Sequence, residues 1–193
     1  MSGQYIEVRF LQRENGLLRL GRDYFYDFFP LYEGPPGRIE GATGSIMDQK
    51  IRSSIIKSVK AEGYAGKLGL KLIELSDGYA IVEMVPLNDD VNIFGMVHGG
   101  ANFSLMDEAF QISCNSHGRV AVALNVNVVF HNPAKTGCRL RAESKEISLS
   151  KKTATYEIKV MDDNDILIAS CQALAYRKRE KLPFLGEGAE SGI

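Results

Sequence analysis

Residues 101–117 hold neither proline nor glycine, and the chain enters this stretch through His98-Gly99-Gly100, a permissive turn placed where a helix begins. The spacing predicts one long helix. What surrounds it narrows the fold. Upstream, Asp48 caps a shorter helix in which Ile51, Ile55, Ile56 and Val59 share a face, ending near Gly63, and residues 68–75 and 79–85 flank Ser76-Asp77-Gly78 as a hairpin. Downstream, Val122, Leu124, Val126, Val128 and Phe130 alternate with Asn125 and Asn127, and residues 138–147, 153–160 and 166–176 alternate in the same way, with Asp162-Asp-Asn-Asp165 as the last turn. One long helix followed by consecutive strands is poor material for parallel crossovers. It favours an α+β fold, an antiparallel sheet wrapped around the long helix.

Wound at about 100° per residue, Phe103, Asp107, Phe110 and Cys114 fall on one stripe of the long helix, and Ser104, Glu108, Gln111 and Asn115 on a separate polar one. Asp107 is therefore expected in the middle of an apolar face, where a carboxylate costs several kcal/mol unless it is paired or used. At the helix start, the amides of Gly99 and Gly100 are expected to be free and aligned with the helix dipole, a site for a carbonyl oxygen gaining negative charge. The two features lie eight or nine residues apart, roughly 12–13 Å along the axis, too far for one reacting carbonyl. Acting together, they must come from different subunits. Each feature also has a plainer use: close packing for the glycines, a structural acid for Asp107, helix entry for His98, a turn for Asn92.

In combination, Asn92, His98-Gly99-Gly100, Asp107 nine residues after the histidine, and the Pro133-Ala-Lys-Thr-Gly137 turn resemble the hotdog-fold acyl-CoA thioesterases of the phenylacetate-degradation (PaaI-like) type, over about residues 48–176. The resemblance implies that the Gly99 amide polarises the thioester carbonyl, that Asp107 of the other protomer is general base or nucleophile, and that Asn92 and His98 orient the thioester and water. Some relatives carry a serine or threonine on the strand after the helix to position water. Here Ala123 stands at that place, with Asn125 or Asn127 as substitutes; these two and Gly100 are the candidate substrate-binding residues.

The composition, 45% hydrophobic and 24% charged, suits one globular domain, and a net charge of −1 argues against a nucleic-acid binder. Three cysteines without a Cys-x-x-Cys pair suggest neither a disulfide framework nor a zinc site, so no metal is expected. Cys114 shares the Asp107 stripe but lacks a neighbour that would activate it. No eighteen-residue apolar run appears, and charges at Glu7, Arg9, Arg13 and Glu14 interrupt any leader core. A cytoplasmic protein without membrane contact is expected.

The domain reading is an N-terminal extension (1–46), a hotdog domain (47–180) and a tail (181–193). Residues 1–46 show no sustained period. They carry the aromatic run Tyr24–Phe29 and the loop-like Gly34-Pro-Pro-Gly37, and read either as an appendage or as sequence upstream of a start at Met47. The basic run Arg177–Lys181 reads as a solvated end, or as a contact for the phosphates of a nucleotide carrier. The activity implied is hydrolysis of an acyl-CoA, either aromatic such as phenylacetyl or hydroxyphenylacetyl, or of short-to-medium chain. It needs no cofactor, since coenzyme A is part of the substrate, and a homodimer or homotetramer would carry it out. A hotdog 3-hydroxyacyl-thioester dehydratase and a non-catalytic acyl-CoA-binding module are the alternatives.

Overall fold

The structure, a computed structural model, describes residues 6–14, 17–25 and 47–185, and the chain divides into two compact units, Met1–Thr43 and Gly44–Ile193. In the first, strand β1 (Ile6–Glu14) pairs antiparallel with β2 (Leu17–Phe25), a hairpin where the sequence showed no period. The Gly34-Pro-Pro-Gly37 stretch and the tail beyond Leu185 lie outside the described residues.

The second unit runs α1 (Gln49–Ala61), α2 (Gly63–Lys67), β3 (Lys71–Ser76), β4 (Tyr79–Met84), α3 (Gly99–Asn115), β5 (Arg119–Phe130), β6 (Leu140–Leu149), β7 (Thr153–Asp162) and β8 (Leu167–Lys181). Its six strands form one antiparallel sheet in the order β3-β4-β6-β7-β8-β5. The anticipated α+β architecture is what forms. Alternation explains the core. Val82 and Met84 of β4, Leu140 and Ala142 of β6, Tyr156, Ile158 and Val160 of β7 and Ala169 and Ala173 of β8 are buried in one cluster with Leu105, Met106, Ala109 and Ile112 of α3. Each large side chain so buried contributes roughly 1.5–3 kcal/mol. Phe110 meets the Tyr156 ring edge-on, at 5.4 Å between centroids.

Local chemistry fixes the element ends. Asp48 caps α1 by accepting from the amides of Lys50 and Ile51 at 2.8 and 3.1 Å. At the far end of α3, Ser116 Oγ donates to the Ser113 carbonyl and accepts from the Gly78 amide, both at 2.7 Å, while Ser113 Oγ meets Ser144 Oγ of β6 at 2.7 Å. Gly78 is obligatory: its φ is +67°, and a Cβ there would stand 2.8 Å from that of Glu146. The helix is thus pinned to the β3–β4 turn and to the middle of the sheet.

Two expectations are corrected. Arg177–Lys181 is not a loose end but the last part of β8, with Arg177 paired to Ala121 and Lys181 to Arg119. The alternation read from Val122 to Phe130 also does not hold throughout. Opposite β8, Ala123 pairs with Ala175 and Asn125 with the next residue, Leu174, so Leu124 is an extra residue and the facing of the strand changes there. Val126 and Val128 pack on the core, whereas Val122 and Leu124 are exposed. Among the described residues no helix is long and apolar enough to cross a membrane.

Candidate active site

The loop into α3 is built around Asn92. Its Oδ1 accepts from the amides of Phe94 and Met96 at 2.9 and 3.2 Å, and its own amide donates to the Met96 carbonyl at 2.8 Å. Asn92 is the turn former its type suggests. Its side-chain nitrogen, not needed by the loop, stays available as a donor. The His98 amide donates to the Asp90 carbonyl at 2.7 Å, and the ring caps α3, with Nδ1 accepting from the Gly100 amide at 2.8 Å. An accepting Nδ1 carries no proton, so this imidazole is the neutral Nε2–H form.

That cap corrects the expectation of two free amides. Gly100 is spent on His98, and among the described residues only the Gly99 amide of the pair lacks an acceptor. Close quarters account for both glycines. A Cβ on Gly99 would lie 3.3 Å from the end of the Phe130 ring, and one on Gly100 would lie 3.0 Å from His98 Nδ1. Neither glycine has a positive φ. Gly99, Asn92, Met96, Val97, Asn102 and the stretch Phe130–Pro133 line a cleft of about 380 Å³. The structure therefore brings Asn92 and Gly99 to one concavity. Sequence reasoning missed Asn102, one turn into α3, which is 4% exposed with its Oδ1 unpartnered. An Asn in an apolar helical run is the signal that could have found it.

Asp107 lies eight residues beyond Gly99, two turns along the same helix and roughly 12 Å away at 1.5 Å per residue. It is exposed in the single chain, and Phe103, one turn earlier, is exposed as well. The acid on the buried surface is Glu108, 5% exposed, reversing the order read from the helical wheel. The polar stripe meets the corner between α1 and α2. There Glu62 accepts from Gln111 Nε2 at 2.9 Å, and the Tyr64 hydroxyl meets Ser104 Oγ at 2.8 Å. Glu108 Oε2 is 3.5 Å from the same Gln111 nitrogen, and Oε1 has no partner. Burial, then the charges of Glu62 and Asp107, push the Glu108 carboxyl up to about 7. Although Asp107 reaches solvent, enough protein surrounds its carboxyl to raise its pKa as well, burial first and Glu62 second.

Asn125 and Asn127 are not brought to this cleft within one chain. Asn127 pairs with Gln172 and lines a separate hollow with Val129, Ile147, Glu157 and Gln172, while Asn125 and Ala123 are exposed on β5, an edge strand. Burial pushes the Cys114 thiol up to about 12, which leaves it inert at neutral pH. Among the described residues, no three His, Cys, Asp or Glu side chains are arranged to hold a metal ion.

An antiparallel sheet curled on one central helix, with an unspent amide at the helix start and an acid two turns on, defines the hotdog class. Comparison with known proteins places the chain within it. Residues 94–169 match the family model described as the thioesterase superfamily. A putative esterase of Archaeoglobus fulgidus is 37% identical over 137 residues, covering 68% of this chain and 89% of the relative. The acyl-coenzyme A thioesterase PaaI of Escherichia coli is 32% identical over 113 residues, 58% of this chain and 81% of the relative. The structure of the E. coli PaaI protein from the phenylacetic acid degradation operon superposes with a TM-score of 0.67 at 27% identity, covering 70% of this chain and 98% of that one. The chain belongs to the PaaI-like hotdog thioesterases, and is a thioester hydrolase.

Proposed function

We propose that the protein hydrolyses acyl-CoA esters to the free acid and coenzyme A in sites that two protomers share. One observation carries this reading: the unspent Gly99 amide opens on a cleft, while Asp107 sits two turns away on the same helix, exposed, with the open edge of β5 in the same sheet. One chain cannot bring both groups to a single carbonyl. Two antiparallel copies can.

In this mechanism the thioester carbonyl lies against the Gly99 N–H at the positive end of α3, with the Asn92 side-chain nitrogen as a second donor and His98 holding the helix start in shape. Asp107 of the other protomer either takes a proton from the attacking water or attacks the carbon itself. Negative charge grows on the carbonyl oxygen, where an aligned amide donor is worth about 3–4 kcal/mol of barrier. A positioned base adds roughly two to four powers of ten in rate. Thiolate is a good leaving group, and no cofactor enters. The names of the relatives support an acyl-CoA substrate; we take it to be either aromatic, such as phenylacetyl or hydroxyphenylacetyl, or of short-to-medium chain, and take a homodimer or homotetramer as the working form.

The test is thiol release from a panel of phenylacetyl, hydroxybenzoyl and straight-chain CoA esters by the wild type and by Asp107→Asn. Turnover of at least one ester, with a loss of a hundredfold or more in a folded variant, is expected. Full activity in Asp107→Asn would sink the mechanism.

A further inference from the structure

Asp107 does not stand alone on its helix. Gln111 follows it by one turn and Glu108 by a single residue, and side chains three and four apart on a helix are neighbours, roughly 5–6 Å between Cβ atoms. Gln111 is therefore a helical neighbour of Asp107; its Nε2 lies 3.5 Å from Glu108 Oε2, and Glu62 grips the same nitrogen at 2.9 Å from the corner between α1 and α2. The corner is held a second time by Tyr64 on Ser104, which in turn donates to the Gly100 carbonyl at 2.9 Å. Three carboxyl groups thus gather around one amide side chain, and one of them, Glu108, is 95% buried with an oxygen that no donor reaches. A buried oxygen without a donor favours the protonated acid.

The groups facing Asp107 come from three elements. Glu62 faces it from the α1–α2 corner, Glu108 and Cys114 from α3, and Cys171 from β8. Both thiols are held neutral by burial. Glu108, pushed up to about 7, carries its full charge only above neutrality. Among the described residues no cation pairs with Asp107. The remaining acid beside it is Glu62, seated on the Gln111 side chain one turn along the helix.

We propose that Glu62 is a positioning residue for the hydrolytic reaction, setting the pH at which Asp107 becomes an active base by holding a second negative charge beside it. The inference rests on the reading of Asp107 given above. A negative neighbour favours protonation, so Glu62 moves the acid limb of the pH profile towards neutrality; removing its charge moves the limb down.

Glu62→Gln removes the charge but keeps an oxygen to accept from Gln111. On the acyl-CoA ester that the wild type turns over fastest, the acid limb of kcat/KM is expected about half a pH unit lower in Glu62→Gln at low ionic strength. High salt screens the charge, so it should lower the wild-type limb and leave that of the variant in place. The salt comparison within the wild type needs no variant to fold. Superimposable profiles for the two proteins, or a wild-type limb indifferent to salt, would overturn the role of Glu62. If Asp107→Asn keeps its activity, the base assignment itself fails. If Asp107→Asn is inactive and the limb does not move, only Glu62 is at fault.

Discussion

Glu108 carries a stability consequence that is separate from catalysis. Its carboxyl is raised from the ordinary glutamate value to about 7. Below the unfolded pKa, about 4.3, both folded and unfolded chains hold the proton and there is no charge to desolvate. Between there and pH 7 the unfolded chain loses the proton while the folded chain keeps it, so stability falls as pH rises; above 7 the fall is complete. The decline is worth up to about 4 kcal/mol before solvent screening reduces it. Glu108→Gln should be flat across that window, so its urea midpoint should gain on the wild type between pH 5 and pH 8. Equal slopes in the two proteins would show that Glu108 is already charged at pH 5. The helical wheel gave the phase of Asp107 and Glu108 relative to each other but not which side faces protein. That side is decided by Glu62 and Tyr64, some forty residues away, whose docking no local period encodes. The spacing of Asn92, His98 and Gly99 was legible because their roles are local turn and cap chemistry. The loss of the Gly100 amide was not, because it depends on where the His98 ring turns.

At the scale of elements, α3 is set at one end by a side-chain cap and at the other by serines. His98→Ala deletes the acceptor for the Gly100 amide and should cost about 1 kcal/mol, as a lost N-cap does. The expected readout is a thermal midpoint lower by about 2–4 °C for a chain of this size. An unchanged midpoint would mean that the ring does not hold the helix start. The strands were legible where both sequence and sheet alternate, as in β6 and β7. In β5 the residues alternate but the pairing does not, since an extra residue at Leu124 turns the strand over. Nothing in a period-two pattern marks a bulge of this kind, and Leu124 is left 57% exposed in the single chain. The β1–β2 hairpin escaped notice for the opposite reason: its pairing is regular, but its alternation runs only from Ile6 to Phe10 and breaks at Leu11.

For the whole molecule, two elements each carry several exposed apolar groups. Val122, Leu124, Val129 and Phe130 belong to the edge strand β5, and Ile93, Phe94 and Met96 to the loop before α3. A long edge strand with apolar side chains invites pairing with another chain, and an isologous two-fold contact would satisfy it with a second copy. The site proposed to be shared between protomers turns this into a measurement. Gly99 is the first residue of α3, where proline fits because no helical N–H is needed, and His98, with φ −63° and ψ 137°, already has the extended backbone that a following proline requires. Gly99→Pro therefore deletes one amide hydrogen, while its Cβ, 3.3 Å from the Phe130 ring, requires that ring to give by a few tenths of an ångström; with helix content retained, kcat should fall about a hundred- to a thousandfold, as on loss of an oxyanion donor. Asp107→Asn disables the other half of the site. Unfolded and refolded together in equal amounts, the two variants should form mixed dimers in half of the population. Each mixed dimer has one site with both Gly99 and Asp107 intact, which restores about a quarter of wild-type activity. If each site lay within one chain, every site in the mixture would carry a defect, and activity would stay at the level of the separate variants.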